Sequence, residues 1–135
     1  MDQSKQDLMH MNTTALAFLG DAVYELFIRD RLILCEPIHA DRLHKMKVRY
    51  VRAEGQAAAI KTMLDTLSEE ELALVKRARN RKITSKPKNA DPVTYKWATA
   101  FEALVGYLYL AGETERLDEI MEHAYVCGEN GGAEQ

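Results

Sequence analysis

A chain of 135 residues, 47% hydrophobic and 29% charged, has the size and composition of one soluble globular domain. It is too short for a catalytic domain plus a separate binding domain. The opening "MDQSKQDLMHMN" lacks the apolar run of a secretory signal, and no window approaches the ~18 uninterrupted apolar residues of a membrane span, so a cytoplasmic protein is expected.

The hydrophobic pattern is helical throughout, with no alternating strand and no internal repeat. After a short first helix, Thr13 or Thr14 can cap a long second one, "ALAFLGDAVYELFIRDRLIL", which must stop before Pro37. A third helix is expected over 40–64. Its Leu43, Met46, Tyr50, Ala53, Ala57, Ile60 and Leu64 alternate by three and four residues and form one apolar stripe. "SEEE" at 68–71 has the form of a capping box and starts a fourth helix. Residues 80–90, rich in lysine and punctuated by Ser85, Pro87 and Asn89, are expected to be an irregular loop. Asp91 followed by Pro92 then combines an N-cap with a first-turn proline and opens a fifth long helix. Thr114 is the expected cap of the last helix. Residues 1–127 are expected to form the folded unit, and 128–135, "GENGGAEQ", a disordered tail.

Cys35 and Cys127 form no CxxC and have no paired histidines nearby, so they suggest neither a zinc site nor a disulfide framework. His10, His39, His44 and His123 pair with no serine or cysteine nucleophile at a recognisable spacing, although His44 beside Lys45 is placed to touch phosphate. The net charge of −3 and a pI near 5.8 are not the footprint of a nucleic-acid-binding domain. The distribution is another matter. Of the 18 lysines and arginines, 12 fall in two acid-free stretches, 42–52 and 76–88, whereas 113–135 holds seven acids and one arginine. Such a molecule has one face for a polyanion and another that repels it.

Two helices share an oddity. In "LAFLGDAVYEL" Gly20 stands beside Asp21 in an apolar segment, and in "ATAFEALVGYLYLAG" Glu102 is followed one turn later by Gly106. Glycine inside a helix costs about 1 kcal/mol relative to alanine, and a buried carboxylate is costly unless paired or bound to a cation. Small residues beside each acid would let the helices approach and bring the carboxylates together. Magnesium suits such a pair, since it takes one or two carboxylates, keeps several waters and leaves room for phosphate oxygens. That arrangement fits phosphodiester hydrolysis, with the metal activating a water. The plain alternative is an acid at the solvent edge and a glycine serving tight packing.

"FLGDAV" at 18–23 is similar to the signature of ribonuclease III catalytic domains, and "FEALVGYLYL" at 101–110 resembles the second acidic motif of that family, in the right order and about 80 residues apart. The whole chain resembles the compact Mini-ribonuclease III subclass, which lacks the double-stranded-RNA-binding domain. "GDAVYE" and "TYKWATAFEALVGYLYL" carry that closer likeness. The resemblance implies an all-α helical bundle of the ribonuclease III catalytic type, homodimeric. It also implies Mg2+-dependent endonucleolytic cutting of double-stranded RNA that leaves 5′-phosphate and 3′-hydroxyl ends. Its implied substrate is precursor large-subunit (23S) ribosomal RNA, and a ribosomal protein that presents the RNA is a candidate further partner. By motif matching, Asp21 and Glu102 are the catalytic, metal-binding acids. Full-length relatives carry a glutamate where this chain has Ala17 and an aspartate where it has Thr99, which puts a second tightly bound metal in doubt. Glu25, one turn from Asp21, is a candidate outer partner of the site or a solvent-facing acid.

Without an appended binding domain, the nuclease surface must hold RNA itself. Arg42, Lys45, Arg49 and Arg52 are spaced to form one stripe about 15 Å long at 1.5 Å per residue, able to follow phosphates. The second basic stretch brings Arg77, Arg79, Arg81, Lys82, Lys86 and Lys88 to a helix end and loop that can enter the wide minor groove of A-form RNA. A solvated charged face is the alternative for both. Phe18, Leu19, Val23, Leu26 and Phe27 are the expected dimer face, while Tyr24, Tyr107 and Tyr109 suit the core or the dimer contact. Two rival functions stay open: a non-catalytic double-stranded-RNA-binding protein with a degenerate site, for which Ala17 and Thr99 speak, and a helical nucleotide pyrophosphohydrolase, which should need more clustered acids.

Overall fold

In the computed structural model, residues 2–35, 40–82 and 88–133 are described, and these contain helices and no strand. In chain order they are α1 (Asp2–Met9), α2 (Thr13–Cys35), α3 (Ala40–Val51), α4 (Ala53–Met63), a 3₁₀ turn (Leu64–Thr66), α5 (Glu69–Asn80), α6 (Pro92–Leu110) and α7 (Thr114–Ala133). The all-α expectation holds. No described helix is long and apolar enough to cross a membrane.

The bundle is organised around α6. Its sequence is apolar on nearly every side, the signature of a helix enclosed by others, and Ala98, Ala100, Phe101, Ala103, Leu104, Val105, Tyr107 and Leu108 are all buried. The helices α2, α4, α5 and α7 pack around it. Tyr24 of α2 meets Phe101 edge to face with ring centroids 4.9 Å apart, a favoured aromatic geometry.

Local signals set most helix ends. Ser68 accepts the Glu71 N–H at 3.1 Å while Glu71 accepts the Ser68 N–H at 2.9 Å, completing the capping box. Asp91 accepts the Thr94 N–H at 3.0 Å ahead of Pro92. Helix α6 ends at Gly112, where φ is +72°. There the Glu113 N–H reaches the Leu108 carbonyl and the Gly112 N–H that of Tyr109, the 6→1 and 5→2 pair of a Schellman motif.

Four boundaries differ from expectation. Asn12, not Thr13 or Thr14, caps α2: its Oδ1 accepts the N–H groups of Thr14 at 2.8 Å and Ala15 at 3.3 Å. Asparagine reaches the second and third amides of a helix as well as threonine does. The single helix expected over 40–64 is two, broken at Arg52, whose backbone is extended (φ −73°, ψ 158°). Its N–H still donates to Val48 while its carbonyl accepts from Gly55 and Gln56, so one helix ends where the next begins. The break lets α3 lie on α2 and α4 on α6, which one straight rod could not do. Thr114 is the first residue of α7, and the Glu113 carbonyl takes the first helical bond, from Leu117. Helix α7 also runs on through Ala133, whereas disorder was expected from 128. Propagating a formed helix adds one hydrogen bond per residue without the cost of a new nucleus.

A buried ion pair ties α5 to α7. Arg116 donates through Nε and Nη2 to both carboxylate oxygens of Glu71 at 2.9 Å. Burial alone would raise the Glu71 carboxyl, but the guanidinium and the Ser68 N–H outweigh it and hold the group below its ordinary value.

Candidate active site

The two odd glycines meet at the crossing of α2 and α6. A Cβ built on Gly20 would lie 1.7 Å from the Glu102 carbonyl oxygen and 2.8 Å from the Gly106 nitrogen, and one on Gly106 would lie 2.0 Å from the Leu16 carbonyl oxygen. Neither position can hold a side chain. The glycines bring backbone against backbone, and the residues flanking them, Asp21 and Glu102, are carried to one place as a consequence.

Asp21 is exposed and Glu102 half-buried. Their carboxyl groups lie within hydrogen-bond reach, and the Glu102 carboxyl is pushed up to about 9, first by burial and then by the neighbouring Asp21. Gln56, close to Glu102, works in the opposite direction. It belongs to α4, is only 2% exposed, and its Nε2 makes no hydrogen bond among the described residues. A buried amide with so little satisfaction costs about 1–3 kcal/mol. Sequence reasoning passed over Gln56, though a lone polar residue in "AEGQAAAI" is a signal.

The donor set fits magnesium. Two neighbouring carboxyl groups that resist ionising together are a place where a cation would favour the charged form of both, and two carboxylates with open places for water suit Mg2+. Among the described residues no group of three or more His, Cys, Asp or Glu side chains converges, so the closed ligand set of a structural zinc is not present. Ala17 is buried in the core, and the Thr99 hydroxyl donates to the Tyr95 carbonyl at 2.9 Å. Glu25 turns to Arg29 at 2.9 Å and to Lys47 at 3.7 Å. It links α2 to α3.

The basic residues scatter more than the sequence suggested. Arg77 is tied to the end of α1, donating to the carbonyls of Met9 and Met11. Arg79 lies over the Trp97 ring, 5.0 Å from its centroid, with Lys61 5.7 Å away. Arg81 ends α5, and Arg81, Lys82 and Lys88 are exposed. On α3, Lys45 is exposed, and the side chains of Arg42 and Arg49 lie outside the described residues, as does Lys86 altogether. Arg52 sits at the break, so the straight stripe stops at 49 and measures about 10 Å at 1.5 Å per residue. His44 lines, with Arg29 and Lys47, a cavity of about 300 Å³ between α2 and α3. Of the expected dimer residues, Val23 and Phe27 pack on the protein's own core, and Tyr24 and Tyr107 are buried. Phe18 (85% exposed) and Leu26 (70%) face outward with Ile33 and Leu34.

The chain as a whole has counterparts among known proteins. Residues 14–113 match the Ribonuclease III domain family. The chain belongs to the ribonuclease III family. A Mini-ribonuclease 3 of Brevibacillus brevis is 50% identical over 118 residues, spanning 87% of this chain and 88% of that protein. One from a Thermoanaerobacter species is 46% identical over 119 residues, spanning 88% and 84%. A crystal structure of a Fusobacterium nucleatum protein superposes with a TM-score of 0.77 at 34% identity, covering 84% of this chain and 91% of that one. Within the ribonuclease III family the chain thus falls in the Mini-ribonuclease III group, and it is an endoribonuclease.

Proposed function

We propose that the protein cuts both strands of double-stranded RNA as a magnesium-dependent homodimer, with Asp21 and Glu102 as its catalytic pair, and that its substrate in the cytoplasm is precursor large-subunit ribosomal RNA. The observation that carries this reading is the convergence of those two carboxyls at the α2–α6 crossing, one of them pushed well above the ordinary carboxylate range by burial and by the other. Asp21 and Glu102 would hold the ion, and Gln56 would steady Glu102 from below. When bound, magnesium supplies activation of the attacking water and neutralisation of charge on the phosphate. The glycine crossing keeps both acids at a set separation, which is the protein's own share in orienting the reaction.

Two-fold symmetry suits two strands, since an isologous dimer carries one site per subunit. The supporting surface is the stripe Phe18, Ala22, Leu26 and Ile33 on α2, with Leu34 beside it, exposed on the protomer. Arg42, Lys45, Arg49, Arg52, Arg79, Arg81, Lys82, Lys86 and Lys88 are the proposed RNA contacts. Arg77 serves α1 instead.

The test is incubation of the protein with long duplex RNA, with and without magnesium, beside Asp21→Asn and Glu102→Gln variants. Magnesium-dependent fragments with 5′-phosphate ends from the wild type alone support the reading, and a precursor ribosomal RNA cut at discrete places supports the substrate. Ala17 and Thr99 supply no third ligand. Tight binding without cleavage would therefore favour a degenerate, RNA-binding site.

A further inference from the structure

Helix α4 carries one residue that its own packing does not ask for. Its buried positions are Gln56, Ala57, Ala59, Ile60 and Met63, and α4 packs on α6. Positions 56, 59, 60 and 63 share one face of a helix, so a glutamine only 2% exposed opens a stripe that is otherwise apolar. Leucine or methionine there would fill similar space without burying an amide.

No local role accounts for the side chain. The start of α4 at Arg52 has no side-chain cap, so Gln56 does not close the helix end. Its Nε2 is shut off from solvent and makes no hydrogen bond among the described residues. Across the contact, the Thr99 hydroxyl of α6 donates to the Tyr95 carbonyl, and the group that Gln56 comes close to is the Glu102 carboxyl. An amide N–H is a donor and a charged carboxylate accepts only, so the two are complementary, yet the bond is not made. A buried donor without an acceptor calls for a role in function or for a bound water or ion.

We infer that Gln56 is a positioning residue of the nuclease: its amide donates to one oxygen of the Glu102 carboxylate when a cation occupies the acid pair, and leaves the other oxygen free for the ion. This inference rests on the ribonuclease reading and deepens it, because it makes Gln56 a burden on the ion-free fold that ion binding relieves. Neutral Gln56 adds no charge to the site, whereas a third carboxylate would repel the other two. A hydrogen bond to a charged group is stronger than one between neutral groups, so the amide contributes most with the ion present and least without it. The protein thus gives up stability for affinity toward the ion, the trade expected of a residue held for function. Helix α4 is thereby coupled to the acid pair, although none of its residues is a proposed ligand.

The experiment compares wild type, Gln56→Met, Gln56→Leu and Ile60→Val, the last at a fully buried neighbour on the same face of α4. Each is unfolded in urea with a chelator present, and its thermal midpoint is followed over a magnesium series. Methionine keeps the length of glutamine and removes the donor, and leucine keeps the test open should methionine overpack the site. Both Gln56 variants should unfold in chelator at the wild-type urea concentration or above it. Their apparent magnesium affinity should be about tenfold weaker, as for one lost hydrogen bond to a charged group. Ile60→Val should lower the urea midpoint and leave magnesium affinity unchanged, which separates positioning from general loosening of α4. Both Gln56 variants binding magnesium as wild type does, or losing no more affinity than Ile60→Val, overturns the inference alone. So does a urea midpoint that falls in both as it does in Ile60→Val, since the amide would then already serve the fold. A magnesium response equal in wild type and Asp21→Asn takes the ion off the acid pair and overturns both the proposed catalytic pair and the inference.

Discussion

Replacing Gly20 by alanine sets two effects of known size against each other. In an isolated helix the change stabilises by about 1 kcal/mol. Here the new Cβ would sit 1.7 Å from the Glu102 carbonyl oxygen, where ordinary contact begins near 3.4 Å, so α2 and α6 must part by between about 1 and 2 Å. The atom in the way is backbone and cannot rotate aside. Overpacking in a core typically costs 1–3 kcal/mol. Parting the helices also opens gaps beside Leu16, Ala17, Ala103 and Val105, all buried, and a radial gap of 0.5–1 Å forfeits a quarter to a half of each dispersion well. Net destabilisation of about 2 kcal/mol or more is expected, a large share of the 5–15 kcal/mol typical of a domain. Equilibrium unfolding in urea measures it as a lower midpoint with an unchanged slope. Gly112→Ala is the contrast: nothing lies within 4 Å of its Cβ, but φ is +72°, so a loss nearer 1 kcal/mol follows from backbone conformation alone. If Gly20→Ala unfolds at the wild-type urea concentration or above it, the close-crossing account is wrong.

Three further outcomes follow from the same geometry. Because burial and Asp21 hold the Glu102 carboxyl near 9 against an ordinary 4.5, the metal-free fold keeps a proton that the unfolded chain gives up. Its stability should therefore fall as pH rises from about 4.5 through 9, and Glu102→Gln should flatten that decline. Magnesium must displace the same proton, so its effect on the thermal midpoint should be larger at pH 8.5 than at pH 6.5; an equal effect at both would remove the ion from the acid pair. Glu71 behaves with the opposite sign: its depressed carboxyl stabilises the fold above about 4.5, and that contribution disappears as pH falls through the lower folded value. Glu71→Gln should cost about 2 kcal/mol at pH 7, from leaving half-buried Arg116 without its bidentate partner, and progressively less as pH falls below about 4.5 in the same urea titration. Leu26→Asp should leave the protomer's helical content intact, since the side chain is 70% exposed, while sedimentation shows dissociation to monomers at micromolar concentration. A variant that stays dimeric would move the interface off this stripe.

Much of this protein is written locally. The apolar periodicity of α2 and α6, the capping box at Ser68 and the Asp91–Pro92 start depend on residues within a few positions of one another, so the chain announces them before any partner is known. The acids beside glycines were legible for the same reason, as violations of local preference that only a function or a close contact would tolerate. Asn12 was as legible as Thr13, but the one-residue choice between caps depends on where the chain enters the bundle.

Tertiary packing decided the rest. The apolar stripe over 40–64 continues without interruption in the sequence, yet the helix breaks at Arg52 because its two halves bury against different neighbours. Arg77 sits among like charges in the sequence and was grouped with them, but in the fold it meets the carbonyls ending α1. Gln56 gained its meaning only when α4 and the two glycine-bearing helices came together. By itself the sequence determined which segments are helical and which two acids stand near the crossing glycines, because both follow from short-range pattern. Which cations remain free to meet a phosphate, and which amide lies beneath Glu102, depends on contacts between residues far apart in the chain, and only the packed bundle brings those into reach.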